Sequence, residues 1–207
     1  MIAVLDIGIG NVRSVVRALH KLGANAELTS DPDALREADG LVVPGQGAMG
    51  AVMNNLKAAR ADRIIERRVA GGRPVLGICV GLQVMFDSST EHGGAAGLAQ
   101  WPGVVDRLPS AIVPHIGWST VDVPPGSTLF HGIDSARFYF AHSYAVQSDP
   151  AAELTEELFD PPLVTFAEHG TRFVAAVESG PLSATQFHPE KSGDAGLELL
   201  RNWLGSI

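Results

Sequence analysis

Pro74-Val75-Leu76-Gly77-Ile78-Cys79-Val80-Gly81-Leu82-Gln83 carries the pattern on which the fold of this chain turns. Pro74 to Ile78 is a short apolar run of the kind that forms a fully buried strand, and Val80 to Phe86 begins a helix. Between them stands Gly77-Ile78-Cys79-Val80-Gly81, a glycine–x–nucleophile–x–glycine elbow at a strand-to-helix junction. A sharp turn there lifts the side chain off the end of the sheet. Glycines on either side admit a backbone approach that a β-carbon would block. A thiol at the start of a helix also meets the positive end of the helix dipole, which favours thiolate. A lone cysteine is equally at home as a buried, inert side chain, so on this stretch alone both readings of Cys79 stand.

Upstream, strands alternate with helix-period segments. Ile2 to Asp6 reads as a buried strand ending in the turn Gly8-Ile9-Gly10. Val12, Val15, Val16, Leu19 and Leu22 then recur at helical spacing, with Asn11 as N-cap and Gly23 as stop. Glu27 to Thr29 and Leu41 to Val43 are short strands, and Val52, Met53, Leu56, Ile64, Ile65 and Val69 predict helix through much of 50–70. This alternation implies parallel βαβ units with helices covering the sheet. Downstream, short β-rich pieces lie close together: Val104-Val105, Thr120 to Val123, Arg137 to Phe140, Leu163 to Phe166 and Phe173 to Val177. Their spacing favours antiparallel hairpins. Leu182 to Phe187 is a final strand, and Leu197, Leu199, Leu200, Trp203 and Leu204 form a closing helix. No repeat or linker divides the chain, so a single α/β domain over 1–207 is expected.

Composition narrows the function. At 207 residues, with 45% hydrophobic and 18% charged, the chain is neither disordered nor too short for a substantial core. A formal charge of −8 argues against nucleic-acid binding. No apolar run reaches the roughly 18 residues of a membrane span; Val75 to Phe86 is interrupted by Gly77, Gly81 and Gln83. No basic segment precedes an apolar one at the start, and one cysteine makes no internal disulfide, so a cytoplasmic protein is expected.

Two further strand ends bear on Cys79. In Gln186-Phe187-His188-Pro189-Glu190, His188 follows an apolar strand and sits where open α/β sheets place their ligands. If the segment is extended, Glu190 lies on the same side and can orient the imidazole. A solvated surface loop accounts for these residues equally well when they are taken alone. With a thiol nucleophile they supply what it needs, a base that generates thiolate and then protonates a leaving amine. Pro44-Gly45-Gln46-Gly47 is a turn whose N–H groups could form half of an oxyanion hole, with the Val80 N–H as the other half. Other sites fail. Gly8-Ile9-Gly10-Asn11-Val12-Arg13 has Arg13 where a dinucleotide fingerprint has its third glycine, no phosphate loop is present, and the seven histidines show no metal-ligand spacing. No cofactor or metal is expected.

These residues resemble the class I glutamine amidotransferases, and within them the glutaminase branch of imidazole glycerol phosphate synthase. The match extends over nearly the whole chain: Gly10 to Ser14, Pro44 to Ala48, Leu76 to Gln83, Val113-Pro114-His115-Ile116-Gly117-Trp118, Tyr139 to Tyr144 and Gln186 to Ser192. The resemblance implies a flavodoxin-like fold, a mostly parallel sheet flanked by helices with an additional antiparallel β portion in the second half. It implies that Cys79 attacks the side-chain amide of L-glutamine, that His188 shuttles the proton and that Glu190 orients His188. It places Gln83, Glu91, Ser143 and Tyr144 around the glutamine. It implies that ammonia passes to a (β/α)8-barrel cyclase subunit, with Asn11, Trp118, Tyr139 and Lys191 at or near that interface; Trp118 and Tyr139 are equally readable as packed aromatics. Rival readings are a glutaminase serving another synthase, a non-catalytic relative and a flavodoxin-like cysteine hydrolase. The chain lacks the Gly-Gly-Glu-Ser segment of the pyridoxal type, retains all three catalytic residues, and has Gly77-Ile78 rather than an acidic residue before the thiol.

Two features depart from the family pattern. Ile7 and Ile9 stand where more polar residues are common, and Gln46 stands where a small apolar residue is usual. The family's loop reorients a peptide to complete its oxyanion hole, and the Gln46 side chain is expected to alter that equilibrium. Gln46→Val is expected to change glutaminase turnover in the absence of cyclase ligand; basal and ligand-stimulated turnover both equal to wild type would sink this expectation.

Overall fold

The computed structural model describes residues 1–8, 10–154 and 160–207; Ile9, in the expected first turn, lies outside them. Strand β1 (Ile2–Leu5) leads through α1 (Val12–Lys21) to β2 (Ala26–Thr29), then through α2 (Pro32–Glu37) to β3 (Gly40–Gly45). Helices α3 (Met49–Ala58) and α4 (Ala61–Ala70) precede β4 (Val75–Cys79), which runs straight into α5 (Val80–Gln83). Then come β5 (Phe86–Ser89), β6 (Ala95–Ala96), β7 (Trp101–Arg107), β8 (His115–Thr120), β9 (Arg137–His142) and β10 (Tyr144–Val146). Helix α6 (Pro150–Glu153), strands β11 (Leu163–Glu168), β12 (Arg172–Ser179) and β13 (Leu182–Thr185), and α7 (Gly193–Gly205) complete the order.

The main sheet has the order β11-β12-β13-β4-β3-β1-β2. Strands β2, β1, β3, β4 and β13 are parallel, while β12 is antiparallel to both of its neighbours. Every residue of β1, β3 and β4 is buried, which explains their unbroken apolar runs: cover on both faces leaves no side for polar residues. Strands β10-β7-β5-β6 form a smaller sheet, and β8-β9 an antiparallel ribbon. The α/β class with an added antiparallel portion is thus as expected. Among the described residues no helix is long and apolar enough to cross a membrane.

The local expectations differ from the structure in four places. The helix expected through 50–70 is broken, with Arg60 at φ 56 between α3 and α4. Its apolar stripe changes phase: Val52, Met53 and Leu56 are buried on α3, but Ala61, Ile64 and Ile65 on α4, and one straight helix cannot present both sets to the core. The helix expected over Val80 to Phe86 lasts one turn, because Val84, Met85 and Phe86 are all fully buried and Phe86 opens a strand. The strand expected over Thr120 to Val123 begins earlier as β8, and Asp122 makes only an isolated bridge to Phe166. Asn11 precedes α1 without capping a backbone N–H; its side-chain oxygen accepts from the Ser14 hydroxyl at 2.9 Å. Helix α2 escaped the periodicity reading, although Asp31, which accepts from the Ala34 N–H at 3.0 Å, and Pro32 in the first turn are its start signals.

One buried cation ties this half together. The Arg68 guanidinium donates to the carbonyls of Leu35, Arg36, Ala38, Asp39 and Pro74. It satisfies the end of α2 and pins the entries of β3 and β4. Burial, with Arg73 nearby, lowers its pKa to about 10, still charged at neutrality.

The elbow is the tightest point of the fold. A β-carbon on Gly81 would lie 1.8 Å from the Val43 carbonyl oxygen, and one on Gly77 would lie 2.5 Å from the Gly81 oxygen. Strand β3 and the first turn of α5 therefore meet backbone to backbone, which only glycine permits. Gly81→Ala is expected to cost about 3 kcal/mol of stability or more; a urea unfolding midpoint equal to wild type would overturn this packing account.

Candidate functional site

Strand β4 delivers Cys79 at φ 57, ψ −110, a backbone conformation that side-chain-bearing residues rarely adopt. Strand β13 lies beside β4 in parallel, so the chain leaving Thr185 emerges next to the chain leaving Ile78. Gln186, fully buried, turns its amide nitrogen to the Cys79 sulfur at 3.8 Å. Two residues on, His188 Nδ1 meets Glu190 Oε1 at 2.8 Å, with both side chains buried. The pairing arises differently from the expected extended run. Pro189–Lys191 is a 3-10 turn, which folds Glu190 back toward the ring. Packing holds that turn: a β-carbon on Gly196 of α7 would lie 1.9 Å from the Pro189 carbonyl oxygen.

The other Glu190 oxygen is buried and has no hydrogen-bond partner among the described residues. A buried carboxylate so placed favours a cation on the ring it touches. Burial pushes the His188 imidazole down, but hydrogen bonds to Cys79 and Glu190 and the charges of both outweigh it, leaving a pKa raised to about 9. The arrangement favours imidazolium beside the thiol and can accept or return one proton at the sulfur's edge of the ring.

Cys79 and His188 open into a cavity of about 470 Å³. Gln46, Gly47, Val80, Gln83, Glu91, Ser143, Tyr144 and Lys191 line it, all of them expected site residues. Gly45 lies beneath the wall in register with Cys79, where a β-carbon would come 2.8 Å from the Gly81 nitrogen. Asn11, Trp118 and Tyr139 are not on the wall. Trp118 is 45% exposed, and its ring packs edge-on to Tyr139, its cross-strand partner, at 6.0 Å between centroids. Gln83 already uses its amide nitrogen inside the protein, donating to the Tyr144 carbonyl at 2.9 Å and to the Gln186 side chain at 3.0 Å. Glu91 accepts the backbone N–H of Met49 at 3.0 Å, and so holds the residue that follows the Gly45–Ala48 loop.

A histidine pair that the sequence did not single out stands behind this wall. His142 lines the cavity. Its Nδ1 lies 3.0 Å from the Tyr144 carbonyl, which only accepts, so that nitrogen carries the proton. Nε2 then accepts from His115 Nδ1 at 3.2 Å, and His115 Nε2 in turn accepts from the Ser119 hydroxyl at 3.0 Å. Every bond in this chain is satisfied with both rings neutral, and burial favours that state. Burial lowers His115 to about 4, with the nearby His169 adding to it. Burial likewise lowers His142 to about 3 against the opposing bond to Tyr144.

The chain belongs to the glutamine amidotransferase class-I family, whose model matches residues 3–206. Within that family it belongs with the HisH proteins. It is 60% identical to "Imidazole glycerol phosphate synthase subunit HisH" of Leifsonia xyli subsp. xyli, over 100% of this chain and 98% of the relative. It is 55% identical to the protein of the same name from Thermobifida fusca, again over 100% and 98%. Among solved structures, a crystal structure of a glutamine amidotransferase superposes with a TM-score of 0.75 at 21% identity, covering 99% of this chain and 97% of that one. The structure of PurLQS from Thermotoga maritima gives 0.72 at 17%, covering 99% and 97%. Likeness at those identities speaks for the fold alone.

The opposed histidine shifts set a pH dependence. His115 and His142 stay neutral in the fold below their unfolded value of 6.5, so the unfolded chain binds more protons and stability falls as pH drops toward about 4. His188 is raised, so its contribution is full below 6.5 and is lost as pH rises toward about 9. Urea midpoints measured from pH 4 to 9 are expected to fall on both sides of near-neutral pH. His188→Asn should flatten the alkaline limb alone, and an unchanged alkaline limb would contradict the assignment.

Proposed function

We propose that this chain is the glutaminase subunit of imidazole glycerol phosphate synthase and that its site hydrolyses glutamine through Cys79, His188 and Glu190. The observation that carries the reading is the convergence of an elbow thiol and a buried histidine–glutamate pair on one cavity, in a chain 60% identical to a HisH subunit over its full length. Thiolate on Cys79 attacks the side-chain amide carbon of glutamine. Protonated His188 gives its proton to the departing nitrogen, so ammonia leaves and a γ-glutamyl thioester remains. His188, now neutral, takes a proton from water. The hydroxide carbon–oxygen bond forms, the carbon–sulfur bond breaks, and glutamate leaves with the thiolate and imidazolium restored. Glu190 keeps the ring in the tautomer and charge state this cycle needs.

The oxyanion of each tetrahedral intermediate would be met by the Val80 N–H, which as the first residue of α5 has no intrahelical partner. The loop Gly45, Gln46, Gly47 would supply the other donor. Glu91 is the acidic group on the cavity wall and suits the α-ammonium of glutamine, with Gln83, Ser143 and Tyr144 closing around the rest. Because Glu91 also holds the Met49 N–H, filling the site would pull on the end of the oxyanion loop.

The ammonia would pass to a (β/α)8-barrel cyclase subunit and join a phosphoribulosyl-formimino aminoimidazole ribotide. The products there would be imidazole glycerol phosphate and aminoimidazole carboxamide ribotide, in histidine biosynthesis in the cytoplasm. The exposed Ile116 and Trp118, with Tyr139 beside them, form the apolar face suited to that partner, and Asn11 and Lys191 belong to the same proposed interface. The chain would act as one domain, with the ribotide bound by the barrel.

Cys79→Ala should lower glutamine hydrolysis by about a thousandfold or more while leaving the fold intact. Hydrolysis retained by that variant would remove Cys79 from the mechanism. A barrel protein of another pathway co-purifying with the chain would redirect the ammonia.

A further inference from the structure

The turn that carries the proposed base is sewn to the strand that carries the exposed aromatics. The His188 N–H donates to the Tyr139 carbonyl at 2.9 Å. The Tyr139 N–H donates to the Ser192 hydroxyl at 2.9 Å, and that hydroxyl donates to the His188 carbonyl at 2.7 Å. Backbone and hydroxyl together close a ring between β9 and the residues after β13. Ser192 is 2% exposed, and its own carbonyl receives the Gly196 N–H at 3.1 Å. On the outer side, Tyr139 faces Trp118, whose ring edge comes within 3.9 Å of the β-carbon position at Gly193. The Trp118 ring thus lies close over Gly193, the residue that follows Ser192 in the chain.

We propose that Ser192 is a positioning residue that transmits the setting of the Trp118–Tyr139 face to His188. Two discrete bonds through one buried oxygen give the turn a geometry that follows β9, so a body pressed on the aromatics moves the strand and the histidine together. The His188–Tyr139 backbone bond by itself would let the turn pivot about one point, and the hydroxyl removes that freedom. The hydroxyl makes no helix-capping bond to α7; its two partners are the Tyr139 N–H and the His188 carbonyl. The proposal rests on the reading of His188 as the base and of the aromatic face as the partner-facing one.

Cys79 is the only cysteine of the chain, so alkylation by iodoacetamide reports on one sulfur and on the imidazole beside it. The pH profile of that reaction needs neither glutamine turnover nor a partner, which keeps its failure separate from failure of the glutaminase reading. Trp118→Ala is expected to move the alkaline limb by about half a pH unit or more. In the Ser192→Ala background the same substitution should move it no further, whereas Ser192→Thr, which keeps an oxygen there, should restore the response. Ser192→Gly repeats the test if the alanine variant melts early. Equal shifts from Trp118→Ala with and without the hydroxyl, or no shift in either, would overturn the proposal.

Discussion

Cys79 can hold φ 57 only because the backbones around it come closer than side chains allow. Gly45 at the end of β3, Gly77 in β4 and Gly81 in α5 remove the three β-carbons that would otherwise force β3, β4 and α5 apart. The shape of the cavity wall hangs on that contact. It points the thiol out of the sheet and exposes the first N–H groups of α5 beside it. It also brings the Gly45–Ala48 loop over the same cavity. A strained residue of this kind persists where its surroundings over-determine it. Here they do so with main chain rather than adjustable side chains.

Around the elbow the protein holds histidines in opposite charge states within one wall. His188 gains a carboxylate with one uncompensated oxygen, and the cation is favoured despite burial. His142 gains a carbonyl on one nitrogen and another neutral ring on the other, with no carboxylate to offset the burial of a second proton. The difference lies in partners rather than depth, since both side chains are buried. The neutral pair also fixes the corner at Ser143 and Tyr144, because the Tyr144 carbonyl collects the protons of both His142 and Gln83.

Much of this was legible in the chain before any coordinates. The elbow was readable because two glycines bracket a cysteine at the change from buried-strand to helical pattern, a local signal. Spacing points to His188 and Glu190 but not to their geometry: the proline between them closes a 3-10 turn, and residues two apart meet because the chain folds back. His115 and His142 escaped because they lie 27 positions apart and are joined only by the β8–β9 register, which places them opposite one another. Gln186 carries no local signal of its role; its contact with the thiol depends on β13 lying next to β4, a tertiary fact. The break at Arg60 was in principle visible as a phase change in the apolar stripe, which counting apolar residues over 50–70 does not detect.

The neighbouring of β13 and β4 bears on when this protein becomes able to work as it is made. Gln186 and Cys79 are 107 positions apart, and the antiparallel excursion through β11 and β12 must be laid down before β13 can close against β4. A growing chain that has emerged only as far as β12 has the thiol at its elbow, without His188 or Glu190 and with an open flank along β4. Contacts this distant in sequence form late. The Cys79 elbow can therefore form before the His188–Glu190 pair stands beside it, and the proposed site is complete only once β13 and the turn after it are in place.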